Sequence, residues 1–306
     1  MIELLEVLRE LPILVKAAIM GVVEGLTEFL PVSSTGHLIL AGALLGFDDA
    51  RAKVFDLAIQ TGAMVAVIWV YRERFQRLAQ GQAWEFLGRI PAAIRHPGQR
   101  RAFFQDPSWQ FVRHLAIAFM PAAILGLAFG GWIKAFLFAP IPVAIVLILG
   151  GVVILLVERW VAIRPQHVRV REVDQMTNRD ALRLGIAQAF ALIPGTSRSG
   201  ATIIGGMIFG LSRKSATEFS FFLAVPTLMA AGAYDLLKNW RLLHLEDVPM
   251  FLVGLVAAYL TALAVIRWLI RWVSQHSFNG FAVYRIVFGS LVLVIAYFNR
   301  VTDPFF

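Results

Sequence analysis

The segment Gly21–His37 places an unusual concentration of reactive side chains in apolar sequence. Glu24 and Glu28 stand four residues apart, so on a helix their carboxylates share one face. Pro31 should end that helix, and hydroxyls and an imidazole then follow: Ser33, Ser34, Thr35 and His37. Ionisable groups are expensive inside a membrane and are usually kept there for chemistry or ion passage. The pattern therefore predicts an active site.

The segment Pro194–Gly200 supplies a positive charge that the first segment lacks. Arg198 offers a planar fork of donors suited to phosphate, and hydroxyls surround it: Ser197, Ser199 and Thr202. A helix beginning near Gly200 would add backbone N–H groups that favour anions. A nucleotide-binding P-loop is excluded, because Ala201 stands where that motif needs Lys and no strand precedes it. An anion site in the membrane is predicted instead.

Composition indicates what kind of protein holds these segments. Of its 306 residues 58% are hydrophobic and 16% charged, and the mean hydropathy is +0.71. Charge-free stretches near or above the length of a bilayer span recur: Leu115–Ile133, Ala135–Val157, Phe219–Tyr234 and Val248–Ile266. We expect one polytopic membrane domain over residues 1–306. The absence of cysteine excludes disulfides and thiolate metal sites, and the net charge of +8 is assigned to basic loops rather than to nucleic-acid binding.

The chain repeats itself at an offset of 164 residues. Four glycines of the first half fall on glycines of the second: Gly21 on Gly185, Gly36 on Gly200, Gly42 on Gly206 and Gly46 on Gly210. The first repeat covers about residues 12–158 and the second about 179–299. The motifs Gly42-xxx-Gly46, Gly126-xxx-Gly130 and Gly206-xxx-Gly210 are expected to mark close helix packing.

Each repeat is predicted to contain a re-entrant helix hairpin followed by three spans. The hairpins are Ala17–Leu30 with Thr35–Leu45, and Ala181–Ile193 with Gly200–Leu211; both are interrupted at Pro and Ser. The spans are roughly Val54–Tyr71, Arg113–Gly131 and Pro140–Val157, then Ala216–Leu237, Val248–Ile270 and Phe281–Phe298. Three is odd, so the second repeat should be inverted. The fold class is an all-α polytopic membrane protein with an inverted-topology repeat.

Orientation is predicted from the Arg-rich loops, which should be cytoplasmic. Arginines gather between residues 72 and 113 and between 159 and 183, whereas the Gly131–Ala139 loop carries only Lys134. The first hairpin should then enter from outside and the second from the cytoplasm. Arg285 lies near a predicted cytoplasmic span end, where snorkelling of its side chain to the interface would explain it.

The two motifs GVVEGLTEFLPVSSTGH and PGTSRSG together resemble the undecaprenyl-pyrophosphate phosphatase family, the bacitracin-resistance type, over essentially the full chain. The resemblance implies an enzyme of the bacterial inner (cell) membrane with the inverted-repeat fold. It would hydrolyse undecaprenyl diphosphate to undecaprenyl phosphate and inorganic phosphate, recycling the lipid carrier for the cell wall. It also implies an active site opening to the periplasmic side and a divalent cation, Mg²⁺ or Ca²⁺. The polyprenyl diphosphate and membrane lipids are the expected partners, and a homodimer is left open.

Residue roles follow from chemistry set beside this resemblance. The predicted catalytic set is Ser34, His37, Glu28, Glu24 and Arg198. Phosphate binding is assigned to Arg198, Ser197, Ser199, Thr202, Ser33 and Thr35. Glu24 and Glu28 either hold the cation or accept protons. Ser34, which resembles the family's proposed nucleophile, is favoured over direct attack by water, and His37 fits proton transfer.

A secondary transporter or a lipid flippase is the alternative. Such proteins also carry inverted repeats and broken helices around an anion site in the middle of the membrane. The cluster of hydroxyls beside His37 favours an enzyme, because transport alone has no need of it.

Overall fold

The computed structural model describes residues 2–47, 49–78, 107–239, 241 and 243–302. The first-half helices are α1 (Ile2–Arg9), α2 (Ile13–Thr27), α3 (Ser34–Leu45), α4 (Ala50–Val70), α5 (Arg72–Arg77), α6 (Pro107–Leu137) and α7 (Pro140–Ala162). The second-half helices are α8 (Asn178–Ala189), α9 (Arg198–Ile208), α10 (Arg213–Asn239), α11 (Val248–Val273) and α12 (Asn279–Thr302). Over these residues the extended backbone amounts to one isolated bridge between Val170 and Leu211. The all-α class is confirmed.

Five of the described helices are long and apolar enough to cross a membrane, and the protein is therefore a multi-pass membrane protein. They are α6, α7, α10, α11 and α12. Helix α4 forms where a sixth span was predicted, but its apolar part, Val54–Val70, is shorter. Between α4 and α6 the basic loop largely lies outside the described residues. The inverted orientation of the two halves stays a prediction.

The two predicted hairpins form, α2 with α3 and α8 with α9, and they share backbone details at the repeat offset. Ser33 and Ser197 precede the second helix of each hairpin, and both have φ of 72°, a region that non-glycine residues rarely adopt. The ends of α3 and α9 also correspond. Phe47 N donates to Gly42 O over 2.8 Å, and Leu211 N donates to Gly206 O over 2.9 Å. The repeat thus extends to local structure.

Glycines let the first helix of each hairpin make close backbone contact with a long helix. Gly21 on α2 abuts the carbonyl of Gly254 on α11, and a Cβ added at Gly185 on α8 would lie 2.5 Å from the carbonyl oxygen of Ala118 on α6. Helices α6 and α11 correspond to each other, because each lies at the second predicted span after the hairpin of its repeat. Both hairpins are therefore held by close backbone contact.

We predict that Gly185→Ala destabilises the protein, because the new methyl group would overlap a backbone carbonyl that cannot move alone. A cost of about 1–3 kcal/mol is typical of such overpacking. Gly130→Ala is the matched control: no heavy atom of the described residues lies within 4 Å of an added Cβ there, and alanine favours a helix by about 1 kcal/mol over glycine. Thermal unfolding in detergent should show a lower Tm for the first variant alone. Equal Tm values would contradict the packing argument.

Two sequence expectations are wrong. The Gly131–Ala139 segment is not a loop, because α6 continues as a helix to Leu137 before the turn into α7. Nor do Gly126 and Gly130 mark close packing within the described chain, since an added Cβ at Gly126 would meet only a Leu192 methyl group at 3.4 Å. The predicted loop is helical because its apolar sequence continues that of α6. The glycine pair does not mark packing because a small residue alone does not specify a neighbour.

The start of α8 is anchored to the polypeptide that follows α7. Asp180 accepts hydrogen bonds from Arg169 and from the Thr177 backbone and hydroxyl, forming a capping box. Burial alone would raise the pKa of this carboxyl, but the hydrogen bonds from Arg169 and Thr177 outweigh burial and lower that pKa to about 2. The ion pair therefore persists at neutral pH and fixes the entrance of the second hairpin.

Candidate active site

Glu28, at the end of α2, joins the two hairpin breaks. Its Oε2 accepts a 2.6 Å hydrogen bond from the Ser34 hydroxyl, and its Oε1 accepts a 3.0 Å bond from the Arg198 guanidinium. Ser34 opens α3 and Arg198 opens α9, so the two occupy equivalent positions of the two repeats. All three side chains are buried. The arrangement presents a hydroxyl, its proton acceptor and a cation together.

Arg198 is held by α10 as well as by Glu28. One of its terminal nitrogens donates to the Ser220 carbonyl over 2.7 Å and to the Ser220 hydroxyl over 3.1 Å. The Ser220 hydroxyl contacts the Thr202 hydroxyl at 2.6 Å. Because the Thr202 hydroxyl already donates to backbone carbonyls of its own helix, Ser220 is the donor between them. The guanidinium is thus oriented toward the first hairpin.

Ser197 and Ser199 fasten the second break to the first. The Ser199 hydroxyl donates to the Leu30 carbonyl over 2.8 Å. The hydroxyl oxygens of Ser197 and Ser199 lie 3.0 Å apart. Ser197 also accepts from the Gly200 backbone N–H, capping α9. These hydroxyls stabilise the loop on which Arg198 stands. Phosphate binding by them, and by Ser33 and Thr35 beside the Ser34 hydroxyl, stays a prediction.

Glu24 differs from Glu28 in having no partner. It is 0% exposed, and neither carboxylate oxygen has a hydrogen-bond partner among the described residues. The carboxylates of Glu28 and of Asp56 on α4 both lie near enough for their charges to act on Glu24. The Oδ1 of Asp56 is also buried without a partner among the described residues. Unpartnered buried carboxylate oxygens fit a hard cation, which prefers oxygen ligands. No group of three or more His, Cys, Asp or Glu side chains placed to hold a metal occurs within the described part of the chain, so water or substrate oxygens would supply the remaining ligands of a bound cation.

His37 lies one turn into α3 and faces α12. Its Nδ1 is 2.8 Å from the Ser33 carbonyl oxygen, and its Nε2 is 2.6 Å from the Tyr284 hydroxyl. The imidazole therefore makes no hydrogen bond to Ser34, whose hydroxyl is bound to Glu28. This contact favours Glu28 over His37 as the group that takes the Ser34 proton.

Arg285 does not snorkel, and that expectation is wrong. Its side chain is 1% exposed and donates to the carbonyls of Pro31, Gly195 and Thr196 over 3.1, 2.9 and 2.9 Å. The two breaks leave these carbonyls without helical partners, and the guanidinium satisfies them. Arg285 thus ties both hairpin tips to α12.

The sequence motifs were assigned to one site, and the structure brings Glu28, Ser34 and Arg198 into contact. Sequence reasoning missed Ser220, Tyr284 and Arg285. The sequence marks two of these residues as unusual. Ser220 is a hydroxyl within a Phe-rich span, and Arg285 is the sole formal charge between Phe281 and Phe298. Nothing in the sequence indicated that Tyr284 would meet His37.

Comparison with known proteins gives consistent results. Residues 17–291 match the family model described as bacitracin resistance protein BacA. The chain is 54% identical over 289 residues to the undecaprenyl-diphosphatase of Dechloromonas aromatica, covering 94% of this chain and 97% of that protein. It is 55% identical over 290 residues to the undecaprenyl-diphosphatase of Acidovorax ebreus, covering 95% and 97%. Undecaprenyl-diphosphatase 2 of Rhodospirillum rubrum is 54% identical over 294 residues, covering 96% and 98%.

Proposed function

The chain belongs to the bacitracin resistance protein BacA family, and from that premise we propose that it is an undecaprenyl-diphosphatase acting through the Glu28 cluster. It is a hydrolase that converts undecaprenyl diphosphate to undecaprenyl phosphate and inorganic phosphate. The observation that carries the mechanism is that one carboxylate, Glu28, contacts both Ser34 and Arg198. The relatives do not support the transporter or flippase alternative.

The first step is attack by Ser34 on the terminal phosphorus. The Ser34 oxygen forms a bond to phosphorus, its proton passes to Glu28, and the bond from phosphorus to the bridging oxygen breaks. Undecaprenyl phosphate leaves, and the phosphoryl group remains on Ser34. Arg198 stabilises the negative charge on the phosphoryl oxygens with its planar fork of donors.

The second step is hydrolysis of the phosphoserine. A water oxygen bonds to phosphorus while the bond to the Ser34 oxygen breaks, and Glu28 returns its proton to that oxygen. The proton of the water passes to the Nε2 of His37, which is the imidazole nitrogen that carries no backbone bond. Inorganic phosphate is released, and His37 then loses its proton to solvent.

A divalent cation, Mg²⁺ or Ca²⁺, is the proposed cofactor, and Glu24 is its proposed ligand. Glu24 is chosen over Glu28 because neither of its carboxylate oxygens has a hydrogen-bond partner among the described residues, whereas both oxygens of Glu28 accept hydrogen bonds. Bound there, the ion would neutralise charge on the diphosphate. Asp56, whose charge acts on that of Glu24, also has a buried carboxylate oxygen without a hydrogen-bond partner among the described residues.

Phosphate release from a C55 diphosphate by purified protein tests this function. The wild type should release inorganic phosphate, and a chelator should suppress release that added Mg²⁺ or Ca²⁺ restores. Glu24→Gln should require at least about tenfold more metal for half-maximal activity, since one charged ligand is lost. Metal titration of initial rates measures this. No phosphate release by folded wild-type protein would overturn the function.

The site is proposed to open to the periplasmic side of the bacterial inner membrane. The position of Arg-rich loops supports this orientation, as does a carrier lipid whose diphosphate form is released on that face. Polyprenyl diphosphate and membrane lipids are the partners in this proposal, with no nucleic acid, and a homodimer is left open.

Cysteine labelling tests the orientation, because the native chain has no cysteine. The outer probe is placed at Phe138, which lies in the short turn between α6 and α7 and is half-exposed. The inner probe is placed at Gln166, which is exposed after α7, because the part of the first Arg-rich loop near Gly98 lies outside the described residues. In intact cells a membrane-impermeant thiol reagent should label Phe138→Cys and spare Gln166→Cys. The reverse labelling would overturn the orientation.

A further inference from the structure

The hydrogen bonds of His37 define its tautomer. The Ser33 carbonyl can only accept, so the Nδ1 of His37, 2.8 Å away, carries a hydrogen and donates. In the neutral imidazole Nε2 is then an acceptor, and the Tyr284 hydroxyl at 2.6 Å donates to it. The lone pair proposed to receive the proton of the water is therefore occupied by Tyr284.

Aromatic contacts fix the plane of the same ring. The His37 ring stacks on Phe288 with centroids 4.3 Å apart and an interplanar angle of 4°, and lies 5.7 Å and 9° from Tyr284. Tyr284 and Phe288 are four residues apart and share one face of α12. One helix face thus sets both the plane and the hydrogen bonding of the imidazole.

The position of Tyr284 is itself fixed relative to the site. Its neighbour Arg285 donates to carbonyls of both hairpin breaks, Pro31 in the first and Gly195 and Thr196 in the second. Tyr284 as a residue nevertheless stays 44% exposed. Its hydroxyl can therefore swing away from Nε2 without a change in the backbone.

We propose that Tyr284 is a positioning residue for His37, an inference that rests on the phosphatase reaction described above. Its hydroxyl holds the imidazole with Nδ1 protonated and Nε2 as the acceptor, aligned for the water that hydrolyses the phosphoserine. When that water is in place, the Tyr284 hydroxyl yields Nε2 to it. A water O–H bond breaks as the Nε2–H bond forms, and Ser34 leaves phosphorus with the proton from Glu28.

Tyr284→Phe tests the proposal, because it removes the hydroxyl and keeps the ring that stacks on His37. We expect kcat to fall about tenfold, because the imidazole loses the contact that holds it in its reactive orientation before the water binds, with KM within about twofold. Tyr234→Phe is the matched control, an exposed tyrosine on α10, and should keep wild-type kinetics. In a His37→Ala background, Tyr284→Phe should cause no further loss. An equal loss in that background would show that Tyr284 acts independently of His37 and overturn the proposal.

A spectroscopic measurement separates this inference from the proposed function. In protein labelled with ¹⁵N-histidine, the His37 resonances are assigned as those missing from His37→Ala. Without substrate they should show the Nδ1–H tautomer, and Tyr284→Phe should shift the Nε2 resonance. An unchanged Nε2 resonance would overturn the inference whatever the activity. A shifted resonance in a protein that releases no phosphate would support the contact and reject the function.

Discussion

Replacing Arg198 by Ala is expected to abolish phosphate release, with a fall in kcat/KM of at least about a thousandfold. The guanidinium is the cation in contact with Glu28, and it is oriented by the Ser220 carbonyl and hydroxyl. Arg198→Lys should recover little, because a point charge cannot make the bonds to Glu28 and Ser220 in the same geometry. Steady-state kinetics with a C55 diphosphate measures both variants.

The control must separate lost chemistry from lost folding, since Arg198→Ala leaves the Glu28 charge buried without its partner. Arg213→Ala removes the arginine at the start of α10, which pairs with another buried carboxylate, that of Glu158 on α7. That variant should have a lower Tm but retain turnover when folded. Near-normal turnover by a well-folded Arg198→Ala protein would remove Arg198 from the mechanism.

Glu28→Gln is expected to lower kcat by about 10²–10⁴, the range for loss of a general base. The amide keeps the shape of the side chain and an oxygen that can accept from Arg198, but it cannot take the proton of Ser34. The sequence alone left Glu28 open as either a metal ligand or a proton acceptor. Because both of its oxygens are hydrogen-bonded, we expect the metal concentration for half-maximal rate to stay unchanged.

Glu24→Gln is the matched comparison, since the two carboxylates lie one turn apart and that of Glu24 has no hydrogen-bond partner in the part of the chain that the structure describes. The two variants should give opposite patterns: a changed metal requirement for Glu24→Gln, and a changed maximal rate at saturating metal for Glu28→Gln. If Glu28→Gln alone shifted the metal titration, the roles assigned to the two residues would have to be exchanged.

Local patterns were sufficient for the helices and the two breaks. Apolar length predicted the five long apolar helices, Pro31 and Pro194 marked the interruptions, and the glycine offset identified the local correspondence of the two halves. That both breaks form one site was predicted from the charge and hydroxyls that each supplies, but the contact of Glu28 with Ser34 and Arg198 was not predicted. The structure supplies the distances, which decide that Glu28 and not His37 meets the Ser34 hydroxyl.

The remaining contacts depend on tertiary packing. His37 and Tyr284 are 247 positions apart, and no local pattern links an α3 imidazole to a particular face of α12. Arg285 showed the limit of a general rule. Its place near a span end suggested an interfacial side chain, yet the carbonyls freed by Pro31 and Gly195 gave it partners within the protein. These partners become apparent only from the path of the backbone through the two hairpin breaks.

Ser34 and Arg198 begin equivalent helices of the two repeats, yet one is a hydroxyl and the other a guanidinium. The halves are therefore not interchangeable: two copies of the first would set serine against serine, and two copies of the second would set cation against cation. The proposed mechanism needs different side chains at this position on a common local backbone, which the shared φ of Ser33 and Ser197 indicates. The proposed reaction therefore depends on the position at which two locally similar backbones carry different side chains.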